Sequence, residues 1–372
     1  MKIAIEAQRI FRKNKHGMDM VILEIIRELQ KIDLENEYYI YVACGEDHCL
    51  VETENFHIIE LATPTYILWE QVALPLAISK LKPDILHCTS NTAPLYTSVP
   101  LVLTLHDIIF LEKNKENNKS IYQKMGWYYR RFIVPRILKK CKKIITVSQF
   151  ECENIRKKIS LSPTQLTYIY NGYSEYFKPS ENTYEITKKY ISEKKYNFFL
   201  GNTAPKKNVE GTLKAYKIYL ERSSEKIPLL IADMKEKDVM QILKEENLLD
   251  IKPYIYSYEY ITHQDLPMLY NGAFLFLYTS YRESFGIPIL ESMACGTPVI
   301  TSNTSAMPEI AGEMGVLSDP TNPNSIAEKI LLLEQDESFY NDQVSYGLER
   351  VKLFSWANAA KTLHDIYICI NN

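Results

Sequence analysis

Apolar runs of about four to eight residues, separated by stretches of helical period, constrain the fold of this chain more than any other feature. KIAIEA (2–7), YYIYVACG (38–45), FHIIEL (56–61), DILHCT (84–89), LVLTLHD (101–107) and KIITVS (143–148) read as strands. Between the first two, Met18, Val21, Ile22, Ile25, Ile26, Leu29 and Ile32 recur on one helical face. Strands apolar on both faces need cover on both, so strand–helix alternation predicts a parallel sheet between helical layers. The pattern restarts with YNFFLG (196–201), PLLIAD (228–233), IYSYEYI (255–261), FLFLYTS (274–280) and PVITSN (298–303). The 372 residues are long for one core and comfortable for two of roughly 150–200. The expected fold is α/β: two Rossmann-like domains, 1–173 and 196–353. The polar segment 174–195, with Pro179 and clustered lysines and glutamates, reads as their linker.

No segment approaches the roughly 18 apolar residues of a membrane span. MKIAIEAQRIF at the start reads as a strand and not as a secretory signal. The cysteines at 44, 49, 88, 141, 152, 295 and 369 form no CxxC pair, and the histidines form no HExxH. The expectation is a cytoplasmic protein without a metal site. The net charge of −3 is unevenly spread: 24 Lys and Arg against 20 Asp and Glu over 1–180, and 19 against 26 over the rest. The run GWYYRRFIVPRILKKCKK (126–143) carries seven cations and no acid. It reads either as a solvated helix face or as a surface for anionic lipid; nucleic acid is not expected as a partner.

In doubly wound sheets, ligands bind beyond the carboxyl ends of the strands. That rule selects the Gly17 loop, His106-Asp107, Ser148, Asn171-Gly172, the 201–208 loop and 280–291. The segment TSYRESFGIPILESMACGTPVITSN (279–303) is the most informative. Its strand ends near Ser280, a loop holds Glu283, Phe285 and Gly286, and Pro288 suits the first turn of a new helix. Glu291 lies in or just after that turn. Free N–H groups at such a helix start can hold a diphosphate, and Gly286 lets a ligand approach the backbone. The two acids suit sugar and ribose hydroxyls, which donate to them. Glu291 could equally complement the helix dipole.

This segment resembles the Glu-x7-Glu signature of retaining glycosyltransferases of family 4, with Glu283 and Glu291 as its acids and the likeness running through ESFGIPILESMACGTPVI. FLGNTAPKKNVEGTLKAY (199–216) resembles that family's strand, glycine, basic loop and helix start, and VLTLHDIIFL (102–111) its His-Asp at a strand end. FSWANAAKTLHDIY (354–367) is similar to its closing helix. The resemblance implies the GT-B fold: two Rossmann-like domains facing across a cleft, with helix 354–372 crossing back to the N-terminal domain. Glu283 would contact the donor sugar and Glu291 the donor ribose. Phe285, Gly286 and Ile287 would offer main-chain groups to the sugar and phosphates. Lys207 would hold the diphosphate and stabilise the leaving group. Many members carry an arginine where Ala204 stands, so Lys206 is its candidate substitute. His106 would face the donor sugar, with Asp107 and Ser148 on the acceptor side. Gly17 remains from a Gly-x-Gly-Arg loop whose second glycine and arginine are replaced by Asp19 and Met20; Asp19 would repel phosphate unless turned toward the acceptor.

The family further implies anomeric retention, no cofactor, and a GDP- or UDP-linked hexose of mannose or glucose type as donor. A saccharide, lipid-linked in surface polysaccharide assembly, is the expected acceptor, which would place the enzyme at the cytoplasmic leaflet. No Asp-x-Asp metal clamp stands in the sequence, so Lys207 and the helix start near 286 would replace a cation. Rival readings are a nucleotide-sugar epimerase, which needs no acceptor, and a non-catalytic sugar-nucleotide-binding protein. A dinucleotide oxidoreductase lacks its GxGxxG, since AQRIFRKN follows the first strand.

Overall fold

The computed structural model describes residues 1–15, 17–111 and 121–371, without the side chains of 121–123. It contains two compact units, one formed by 1–171 with 356–372 and the other by 172–355.

The first unit is built on a parallel sheet of seven strands: β1 (Lys2–Glu6), β2 (Glu37–Val42), β3 (Phe56–Glu60), β4 (Ile85–Cys88), β5 (Leu101–Thr104), β6 (Lys143–Thr146) and β7 (Leu166–Tyr168). Their order is β3-β2-β1-β4-β5-β6-β7. Ile3 pairs with Tyr38 on one side and Ile85 on the other, so β1 is central and its residues 3–6 are buried. β7 is too short and polar to register as an apolar run, and the sequence pattern misses it. The helix Gly17–Ile32 buries Val21, Ile22, Leu23, Ile25, Ile26 and Leu29, the face that its spacing predicts. Ile32, at the end of that stripe, is 46% exposed.

The helix Trp356–Asn371 belongs to this unit and packs against Gly17–Ile32. Tyr367 is buried at 2.5 Å from Nδ1 of His87, and His364 Nε2 lies 3.2 Å from Asp33. The His87 Nε2 edge meets Thr104 Oγ1 at 2.8 Å. Burial pushes the His87 pKa down to about 3, so this ring is neutral.

The second unit carries β8 (Tyr196–Leu200), β9 (Leu229–Ala232), β10 (Ile255–Tyr258), β11 (Ala273–Tyr278), β12 (Val299–Ser302) and β13 (Val316–Ser318). They form a parallel sheet in the order β10-β9-β8-β11-β12-β13. Leu213, Tyr216, Leu229, Ile231, Leu275 and Ile330 lie in its main apolar cluster. Segment 174–195 is not a free linker but part of this unit. Ile191 is buried, Ser180 N donates to Asn271 Oδ1 at 2.7 Å, and the Tyr190 and Tyr256 hydroxyls reach Asp265 and Glu193 at 2.7 and 2.8 Å. Most of its charged side chains are exposed, so the polar composition marks a solvated outer face on a segment that is nevertheless anchored to the unit.

Both orders reverse direction between two central neighbours, β1 and β4 in one sheet, β8 and β11 in the other. Segments leaving adjacent strands at such a point diverge and leave room at the carboxyl edge.

Candidate active site

In the second unit the loops that leave β8 and β11 meet at that switch point. Pro205–Lys207 forms one 3-10 turn after β8, and Asn208, at φ +55°, turns the chain into the helix Val209–Arg222. Asn208 Nδ2 donates to the carbonyls of Thr279 (3.0 Å) and Pro320 (2.8 Å), and Tyr281 N donates to Lys206 O at 2.8 Å. These bonds fix the two loops together. Lys207 Nζ then lies 2.9 Å from Glu283 Oε1, and Lys206 Nζ lies 3.2 Å from Glu283 Oε2. Lys207 also donates to the Tyr278 hydroxyl at 3.3 Å and sits 4.8 Å from that ring's centre. Burial works to raise the Glu283 pKa, but Lys207 and Lys206 outweigh it and hold the carboxyl below its ordinary value.

After Glu283 the chain turns through Gly286, at φ +107° and ψ 55°, into the helix Ile287–Ala294. A side chain there would be strained by the left-handed backbone and would meet Ile289 Cδ1 at 3.0 Å. Pro288 occupies the first turn and carries no N–H of its own, and Gly286 at the N-cap has no side chain to cap the other N–H groups of the helix start. Phe285 is buried, 6.0 Å from the Phe354 ring, and Ile287 is half-buried. Glu291 faces the Tyr270 hydroxyl, which donates to its Oε2 at 3.1 Å. Burial raises its pKa to about 7, the Tyr270 bond opposing.

The first unit gathers its own polar groups at the carboxyl edge. His106 is buried, its backbone N–H bonded to Asn91 Oδ1 at 2.6 Å and its Nε2 lying 3.0 Å from the Thr89 carbonyl. A carbonyl only accepts, so Nε2 carries the proton and Nδ1 is the acceptor. Burial lowers the His106 pKa and keeps the ring neutral. Asp107 accepts from Ile109 N at 2.9 Å. Asp19 is buried within electrostatic reach of Arg9 and His106. Gly17 opens its helix, and a Cβ there would meet no atom within 4 Å. Ser148 is buried, and its Oγ caps the helix Gln149–Lys158 by accepting from Glu151 N at 3.2 Å.

Residues 16–175 match the model of Glycosyltransferase Family 4, and residues 182–350 match that of Glycosyl transferases group 1. The O-antigen chain mannosyltransferase B of Escherichia coli is 32% identical over 271 residues, covering 72% of this chain and 69% of the relative. The chain belongs to glycosyltransferase family 4. A second relative, the serotype-specific mannosyltransferase WbdA of Escherichia coli, is 26% identical over 78% of the chain, but the match spans only 37% of that longer protein. Sucrose-phosphate synthase of Thermosynechococcus elongatus superposes with a TM-score of 0.78 at 19% identity, covering 100% of this chain and 99% of the other. That likeness bears on fold alone, the GT-B plan of two parallel-sheet units.

In this glycosyltransferase the residues singled out by sequence fall into two sets. Lys206, Lys207, Glu283, Phe285, Gly286, Ile287 and Glu291 belong to the second unit, while Gly17, His106, Asp107 and Ser148 belong to the first. Sequence reasoning marked Asn208 only as the end of the 201–208 loop, not as the tie between the two loops, and did not single out Tyr278, which flanks Lys207. Nor did it find Asp233, which follows β9 at φ +60° and is within electrostatic reach of Lys207 and His263. Its place at the end of PLLIAD was the available signal. Among the described residues no three His, Cys, Asp or Glu side chains come together as a metal site.

Glu291 gives a pH signature. Its folded pKa of about 7 lies above the ordinary 4.5, so the unfolded chain loses that proton first as pH rises. The carboxyl therefore costs stability progressively between those values, about 3 kcal/mol by pH 8. Glu291→Gln should raise the melting temperature at pH 8 and leave it nearly unchanged at pH 4.5. Equal shifts at both pH values in thermal melts would refute the assignment.

Proposed function

We propose that this glycosyltransferase moves a hexose, mannose being the first choice, from a nucleotide-diphosphate sugar to a saccharide acceptor, with retention of anomeric configuration. The observation that carries the donor assignment is the paired Lys206 and Lys207 at Glu283, beside a helix start with uncapped N–H groups. Breaking a glycosyl–phosphate bond builds positive charge on the sugar and negative charge on the departing diphosphate. Lys207 and the helix start at Ile287 are fixed positive groups for the second of these. Glu283, kept ionised by the lysines, accepts from sugar hydroxyls and lies where positive charge grows. Glu291 accepts from the ribose. Same-face attack, with the leaving phosphate taking the acceptor proton, gives retention and needs no protein nucleophile. His106, neutral with Nδ1 as acceptor, orients a donor hydroxyl, while Asp107 and Ser148 belong to the acceptor side.

The names of the relatives favour mannose and O-antigen chains, and hence a lipid-linked acceptor. Binding without a divalent metal follows from the two lysines serving in its place. Calorimetric titration with GDP and with UDP in EDTA tests this first. Micromolar binding of one nucleotide is the expected result. Product analysis with the matching nucleotide sugar, an acceptor oligosaccharide and anomer assignment by NMR then tests transfer and retention. Absence of binding by folded protein would sink the donor site, and an inverted product would sink the mechanism.

A further inference from the structure

The second unit holds a cavity of about 190 Å³ that the donor chemistry does not use. It is bounded by the 202–205 loop after β8, the start of the helix Val209–Arg222, Ile242 of the helix Glu236–Glu245, and Tyr281. Lys206, Lys207, Glu283 and Glu291 are not on its wall.

The fold leaves the polar groups of this wall unspent. Asn208 is 3% exposed, and its Oδ1 has no hydrogen-bond partner, although its Nδ2 makes two bonds. A buried acceptor without a donor is destabilising, and a ligand hydroxyl would relieve it. Asn202 Oδ1 is taken by Ala204 N at 2.8 Å, which leaves Nδ2 as a donor. Lys214, within electrostatic reach of Glu210, is paired with Glu246 at 2.6 Å. Glu210 itself forms no hydrogen bond or ion pair among the described residues. No side chain caps the helix start at Val209, so its N–H groups are further donors. The Tyr281 ring, 43% exposed, adds a flat apolar face.

Together these features select a ligand class. Glu210 opposes an anion, and no lysine or arginine on the wall offsets it among the described residues. Nor do three His, Cys, Asp or Glu side chains gather there to hold a metal ion. Acceptors and donors side by side suit hydroxyl groups, which both donate and accept. The volume is below the roughly 300 Å³ at which pockets for drug-sized ligands begin, and suits a single sugar ring.

We propose that this cavity is an accessory subsite for one neutral hexose unit of a saccharide chain, seated on Tyr281 with its hydroxyls bonded to Glu210, Asn202 and Asn208. The choice of mannose as that hexose rests on the proposed transfer reaction, whereas the cavity's suitability for a neutral polyol does not.

The test is saturation-transfer NMR of the full chain with methyl α-mannoside, with and without excess GDP, UDP or inorganic phosphate. Millimolar binding is expected, unaffected by nucleotide or phosphate. Tyr281→Ala and Glu210→Ala should each weaken it about 10-fold. Lys207→Ala, which weakens nucleotide binding, should leave it unchanged, so failure of the donor site and failure of this subsite are read separately. Melting temperatures show whether the variants fold; Thr203→Trp, at an exposed position on the rim, should block the cavity if either alanine variant does not. Absence of saturation transfer, or transfer that survives all three substitutions, would overturn the proposal. So would displacement of the sugar by nucleotide or by phosphate.

Discussion

Lys207→Ala should weaken nucleoside-diphosphate binding by about 10- to 150-fold, the 1.5–3 kcal/mol of a hydrogen bond to a charged group. It should also lower kcat by on the order of 100-fold, because leaving-group charge grows most in the transition state. The structure explains why this lysine should matter more than its neighbour. Lys207 is largely enclosed between Glu283 and Tyr278, whereas the Lys206 side chain is 46% exposed. An enclosed charge is screened less, so Lys206→Ala should cost a few-fold. Calorimetry gives the first quantity and initial rates at saturating donor give the second. Equal losses for the two alanine variants would contradict the assignment. Lys207→Ala should also let the Glu283 pKa rise, since burial opposes its charge and Lys206 alone remains to favour it.

Glu70→Ala should destabilise the first unit by about 3–5 kcal/mol, with a fall in melting temperature on the order of 10 °C. Glu70 is 2% exposed and accepts from the Tyr66 hydroxyl at 2.7 Å, from Gln71 Nε2 at 2.8 Å, and from the hydroxyls of Thr92 and Tyr129. Gln71 extends the network to Leu95 N and the Ala93 carbonyl. One carboxylate thus joins the helical stretch after Tyr66, the loop after β4 and the helix Ile121–Leu138. Removing it strands several buried donors together, each costing about 1–3 kcal/mol in isolation. Glu70→Gln keeps the shape and one acceptor oxygen, so it should lose less. Thermal and urea melts decide the matter. A loss under 1 kcal/mol for alanine would mean that water or rearrangement satisfies these donors.

Glu70 did not stand out in the sequence, and Asn208 did so only as the end of the 201–208 loop, without its bonding role, for the same reason. Each acts through groups far along the chain: Thr92 and Tyr129 for one, Thr279 and Pro320 for the other. Periodicity reports which side chains are buried, not what a buried polar group bonds to. The strands tell the complementary story. Eleven apolar runs mark eleven of the thirteen strands among the described residues, and the two missed, β7 and β13, have three residues each, too few to show a pattern. Expected strands that ran on to Asp107, Ser148, Ile261 and Ser280 stop earlier in the structure, at Thr104, Thr146, Tyr258 and Tyr278. Those surplus residues are the loops at the carboxyl edge. There Leu105, Val147, Ile261 and Thr279 remain buried after strand pairing has ended, so composition alone extends the strand too far.

The sequence by itself determined the alternation of strand and helix, the two parallel sheets, and the turn at Gly286 that requires glycine, because these depend on local period and local backbone conformation. It also marked Glu283 and Glu291 through their setting between strand and helix, and Lys207 through the family resemblance. Tertiary structure alone decided that both lysines share one glutamate, that Glu291 is pushed to a pKa of about 7, and that 174–195 is bonded into the second unit rather than free. It also decided which face of Ile121–Leu138 is left to solvent. Each of these depends on distances and burial between segments remote in sequence, and charge interactions and desolvation act through space rather than along the chain.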